Sequence, residues 1–89
     1  MDIRKVFGLN MRRIRLAAGL SQEAVAEGMG VDRAHVSSME RGQQNITILT
    51  LWQAAEALGC RTVALLDEDM VSSAEAPGRK APRRRRTKF

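Results

Sequence analysis

The chain has a single cysteine, Cys60. A lone thiol can form neither an internal disulfide nor a metal cluster, and it suits a reducing compartment. No apolar run approaches the roughly 18 residues of a membrane span. The start, Met1-Asp2-Ile3-Arg4-Lys5, leads into a polar, periodic stretch and not a signal-peptide core. Both absences favour the cytoplasm. Aromatic residues are few: Phe7, Trp52 and Phe89. There is no run alternating apolar and polar residues and no Asn-Gly or Asp-Gly pair, so strands and hairpins are not expected. A phosphate-cradling glycine loop and a nucleophile–base pair are also missing, which argues against an enzyme. No cofactor and no metal are expected.

With 89 residues, the chain holds one domain at most, with room for a tail. A domain this small buries only about 60% of the surface its unfolded chain exposes, so its core must be compact or completed by a partner. The net charge of +5 is unevenly placed: residues 1–71 carry eight Lys/Arg against nine Asp/Glu, and residues 72–89 carry seven against one. The basic excess therefore says little about what the folded part binds. After Met70 the composition turns to Ser, Ala, Pro and Gly and then to Arg79, Lys80, Arg83 to Arg86 and Lys88. Such a segment cannot bury enough apolar surface to offset its ordering entropy. The expected organisation is a domain over 1–70 followed by a disordered basic tail over 71–89.

Helical spacing runs through the domain. Phe7, Met11, Ile14 and Ala18 share one face, and Gly19 ends that first helix, expected over roughly 3–18. Ser21 is an N-cap residue before a short second helix, with Val25, Ala26 and Met29 inward and Gly30 as its stop. Asp32 is the cap candidate for a third helix, with Val36 and Met39 as its apolar contacts. Residues 42–46, Gly-Gln-Gln-Asn-Ile, read as a polar loop. Thr47 is placed to cap a fourth helix whose inward face is Ile48, Leu51, Ala55 and Leu58. A last short helix is expected over 62–69, with Val63, Leu65 and Leu66 available for packing. The fold class is all-α, a compact five-helix domain.

Helices 2 and 3, separated by a glycine turn, have helix-turn-helix geometry: Ala26 lets the second helix cross the first closely, and Val36 plugs the junction. On helix 3 each residue turns about 100°, so Arg33, Ala34, Ser37, Ser38 and Arg41 gather opposite Val36, Met39 and Glu40. Arginine bonds guanine O6 and N7 bidentately, and serine bonds several base edges. The same face is equally consistent with an ordinary solvated one.

The motifs Leu20-Ser-Gln-Glu-Ala-Val-Ala, Gly30-Val, Val36-Ser and Met39-Glu-Arg-Gly, with Asn45 and the Leu51 to Gly59 helix, resemble the Cro/repressor-type helix-turn-helix family, also called the xenobiotic-response-element family. The resemblance covers about residues 7–66. It implies a five-helix domain that binds double-stranded DNA, with helix 3 in the major groove and two copies reading two half-sites. It implies that Gln22 bonds a phosphate and braces helix 3. It also implies that Arg33, Ala34, Ser37 and Ser38 face bases or nearby backbone, and that Arg41, Gln43 and Asn45 flank a phosphate. Arg15 and Glu40 match a family pair that forms a largely buried, structural salt bridge. Two departures stand out. Asp32 replaces the usual Ser or Thr and brings a carboxylate near phosphates. Gln43 and Gln44 are neutral where relatives often carry a basic residue.

Other residues have plainer readings. His35 borders the free face of helix 3 as a packing residue or a pH-sensitive phosphate contact. Cys60 reads as small core filler, with a redox switch as the alternative. Leu49 and Trp52 lie off the inward face of helix 4; with Leu65, Leu66 and Met70 they suggest a homodimer surface, against simple packing on the last helix. The basic tail either binds neighbouring phosphates without sequence preference or is merely solvated. The leading reading is a dimeric repressor that reads an inverted repeat. The alternative is an antitoxin whose tail wraps a toxin while the domain regulates its own operon.

Overall fold

Three helices begin on a side chain that satisfies an exposed backbone N–H. Asp2 accepts from the Arg4 amide at 2.8 Å, Ser21 from that of Ala24 at 3.0 Å, and Thr47 from that of Thr50 at 3.0 Å. Gly30 and Gly59 end two of them in the left-handed region, with φ of 76° and 72°. The computed structural model, which describes residues 2–70, orders the elements as α1 (Ile3–Ala17), α2 (Gln22–Met29), α3 (Arg33–Glu40), α4 (Ile48–Leu58) and a 3₁₀ helix (Thr62–Leu66). No strand is present among the described residues. The expected tail, residues 71–89, lies outside them.

The core joins Phe7 and Met11 of α1 to Val25, Ala26 and Met29 of α2 and to Val36 and Met39 of α3, closed by Ala54, Ala55, Leu58 and Leu65. Small residues set how closely the helices approach. At Gly8 a Cβ would lie 2.5 Å from the Met39 carbonyl oxygen and 2.6 Å from that of Glu40, so α1 packs directly on the α3 backbone. Asn10 is fully buried. Its Nδ2 donates to the carbonyls of Leu65 at 3.3 Å and Asp67 at 3.0 Å, and its Oδ1 accepts from Arg13 at 3.0 Å. This amide ties the last turn of the domain to α1.

The structure corrects the sequence reading at several positions. Ile48, expected inward, is 83% exposed. It is the first residue of α4 and overhangs the edge of the core, while Ala54 takes the inward place. Ala18 is exposed because it caps the end of α1. Val63 is exposed, and Leu65 is fully buried. Leu65 therefore belongs to the monomer core and drops out of the surface assigned to a dimer. The last helix is not continuous over 62–69. Asp67 interrupts it, its Oδ1 accepting from the amides of Asp69 and Met70 at 3.0 and 3.2 Å, and helical backbone resumes at Glu68. Asp32 starts α3 without a side-chain capping bond.

Candidate nucleic-acid interface

α3 is buried along Val36, Met39 and Glu40, while Arg33, Ala34 and Arg41 are exposed and Ser37 and Ser38 half-buried. The arc is polar, short-chained and carries an arginine near each end. Ala26 and Val36 are both buried at the junction of α2 and α3, so the two helices cross closely.

Beneath this arc runs a chain of polar contacts. Arg15 and Glu40 meet as a fork, Nε to Oε2 at 2.6 Å and Nη2 to Oε1 at 3.1 Å, with side-chain exposures of only 7% and 3%. The third arginine nitrogen donates to the Leu20 carbonyl at 2.9 Å. Glu40 Oε1 also accepts from Gln22 Nε2 at 3.1 Å, and Gln22 Oε1 accepts from Arg33 Nη1 at 3.2 Å. The buried pair thus fixes which way the Gln22 amide points, and Gln22 in turn holds the guanidinium of Arg33. Ordered this way, Arg33 loses less side-chain entropy on meeting a ligand.

The far end of the arc is tied down locally. Arg41 donates to the Ser37 hydroxyl and, through Nε and Nη2, to Gln43 Oε1 at 3.4 and 3.2 Å. Gln44 Nε2 donates to Ser38 Oγ at 2.9 Å. Asn45 lies in the same loop, where its Oδ1 accepts from Arg4 Nη1 at 3.3 Å. The structure therefore draws Gln22 and Arg33 into one group, and Ser37, Arg41 and Gln43 into another. Ala34 makes no polar side-chain contact, since it has no polar atom.

Sequence reasoning missed Arg4 as a neighbour of this face, and the bond of Gln44 to Ser38. Arg4 lies 41 residues from Asn45 in the chain, so no local periodicity signals the contact. His35 is half-buried beside the arc. Cys60 packs against the core; burial pushes its thiol up, opposed by the charge of Arg13. A raised thiol is poorly nucleophilic, which fits core filler. Among the described residues no group of His, Cys, Asp or Glu is placed to hold a metal ion, and no helix is long and apolar enough to cross a membrane.

Leu49, Trp52, Leu66 and Met70 are all exposed, as are Ile3, Ile48 and Val63. Ile3, Ile48 and Leu66 line one groove with Phe7, Ile46 and Leu51. Ile3 and Ile48 had no signal as surface residues, because both sit at apolar positions of amphipathic helices.

Residues 11–65 match the helix-turn-helix family HTH_3. The chain is similar to an uncharacterised HTH-type transcriptional regulator of Sinorhizobium fredii, 44% identical over 66 residues that cover 74% of this chain and 86% of the relative. It is also similar to control protein C.SmaI of Serratia marcescens, 39% identical over 74% of this chain and 79% of that protein. Among solved structures, the restriction-modification controller protein C.AhdI of Aeromonas hydrophila superposes with a TM-score of 0.67 at 39% identity, covering 70% of this chain and 94% of that one. The hypothetical transcription factor NHTF from Neisseria superposes with a TM-score of 0.72 at 37% identity, covering 80% of this chain and 84% of that one.

Proposed function

We propose, from the premise that the chain belongs to the helix-turn-helix family HTH_3, that it is a dimeric repressor reading an inverted DNA repeat through α3. The chain is a transcriptional regulator of helix-turn-helix type, homologous to restriction-modification controller proteins. The observation that carries the finer reading is the exposed arc of α3, whose Arg33 is held in place from the buried Arg15–Glu40 pair through Gln22. In this reading Arg33, Ala34, Ser37 and Ser38 lie against base edges. Gln22, Arg41, Gln43 and Asn45 bond the phosphates on either side. Phosphate contacts set register, and base contacts carry the sequence information.

Selection of binding duplexes from a random pool at fixed, near-physiological salt tests this. The expected result is enrichment of an inverted repeat with half-sites about one helical turn apart. Arg33→Ala should then relax one base position of each half-site, at about 1–3 kcal/mol of discrimination. Enrichment of no sequence, or an unaltered preference in the variant, contradicts the assignment.

The exposed group of Leu49, Trp52, Leu66 and Met70 supplies the surface for a two-fold contact, in which the same patch meets its copy. Aromatic anchors dominate such contacts. Trp52 is 53% exposed and outside the core, so its removal leaves the monomer fold intact. Trp52→Ala should therefore weaken self-association by about 2 kcal/mol, read by sedimentation over a concentration series. An unchanged dimer constant would move the interface elsewhere.

A further inference from the structure

The loop that follows α3 carries no cation over residues 42–46. Its spatial neighbours supply two, Arg4 and Lys5. Gly42 adopts a φ of 75° and lies so close to the first turn of α1 that a Cβ there would be 2.8 Å from Lys5 Cγ and 3.1 Å from its Cα. Three residues further on, Asn45 accepts from Arg4 Nη1 at 3.3 Å. The start of α1 and the 42–45 turn thus form one continuous surface. Arg4, Lys5, Arg41, Gln43 and Asn45 are all exposed on it.

We propose that Arg4 and Lys5, with Asn45, form a phosphate-binding site on the DNA backbone beside the recognition helix. The proposal rests on the DNA-binding reading above. The chemistry suits a phosphate: Lys5 is a point charge with three donors, and Arg4 is a planar fork. Asp2 occupies only part of that fork. Its carboxylate accepts from Arg4 Nε at 3.1 and 3.2 Å and from Nη2 at 2.6 Å, leaving Nη1 turned towards Asn45. The Arg4 bonds hold the Asp2 carboxyl down to about 2, so it stays ionised and keeps orienting the guanidinium at any pH where DNA is bound. The contacts of Arg4 and Lys5 run to Asp2, Asn45 and Gly42, on the backbone side of the arc, so the site adds affinity without sequence preference.

The test is binding of a selected duplex by fluorescence anisotropy across a salt series, with the full-length chain, Arg4→Gln, Lys5→Gln and the double variant. Removing one cation–phosphate pairing should reduce the log–log salt slope by about 0.9. Affinity at fixed salt should fall several-fold for each single variant, with the ranking of sequences preserved. Thermal unfolding should shift only slightly, since both side chains are exposed and the Arg4–Asp2 pair is a surface ion pair. Arg12→Gln removes an exposed charge further along α1 and should leave the slope as it was. Slopes equal to the parent's overturn the proposal. So does an equal drop in Arg12→Gln, which would make the effect one of net charge. Failure of the underlying reading looks different: the parent protein itself would then show no preference among duplexes.

Discussion

Replacing Glu40 with alanine should cost the domain about 3–5 kcal/mol in a urea titration, because it strands a buried charge. Arg15 would keep only its bond to the Leu20 carbonyl, with its guanidinium still enclosed. Domains of this kind are stable by about 5–15 kcal/mol in total, so the variant sits near the edge of unfolding. At about 4–8 °C per kcal/mol for a chain of this length, the melting temperature should fall by at least about 12 °C. Joint replacement, Arg15→Met with Glu40→Leu, should lie closer to the parent than either single change, since no charge is then left without a partner. It should still bind DNA less well, because Gln22 would lose the carboxylate that orients it. A Glu40→Ala protein within about 1 kcal/mol of the parent would show that the pair is dispensable.

A comparable loss is expected from one methyl group. Gly8→Ala would put a Cβ about 2.5 Å from two successive backbone carbonyls of α3, those of Met39 and Glu40. Backbone atoms inside a helix cannot swing aside as a side-chain tip does, so α1 itself must retreat. Overpacking costs about 1–3 kcal/mol where side chains can adjust. Here about 3 kcal/mol or more is expected, although alanine is the better helix former by about 1 kcal/mol. Denaturant unfolding measures the change. DNA affinity should fall with it, because moving α1 stretches Arg15 away from Glu40. A neutral or stabilising Gly8→Ala would mean that the two helices can separate without cost.

Helix limits were largely readable in the sequence because they rest on local chemistry. Ser21 and Thr47 cap with their own hydroxyls, and Gly30 and Gly59 stop helices by taking a positive φ. The arc of α3 was readable for the same reason, since a turn of about 100° per residue sorts a short helix into faces. Ile48 misled because periodicity assigns a face but does not show where the core ends. Apolar spacing leaves Leu65 and Leu66 alike, both open to packing or to a dimer surface; in a 3₁₀ turn adjacent residues point in very different directions, so Leu65 is buried and Leu66 exposed. Asn10 gave no signal, since its partners are carbonyls 55 and 57 residues away. The contacts of Arg4 and Lys5 with the loop after α3 were hidden likewise, because they exist only once α1 and α3 have packed.

Ala34 stands apart on the exposed arc of α3. Arg33 is engaged with Gln22, Ser37 with Arg41 and Ser38 with Gln44, so a change at any of them disturbs a second residue. Ala34 is exposed and bonded to nothing through its side chain. On the proposed reading of α3, it is the position where a new operator preference can evolve, or be engineered, in a single step and without repair elsewhere. Gene duplicates of such a regulator would be expected to diverge in target first at Ala34, and only later at the residues whose partners must change with them.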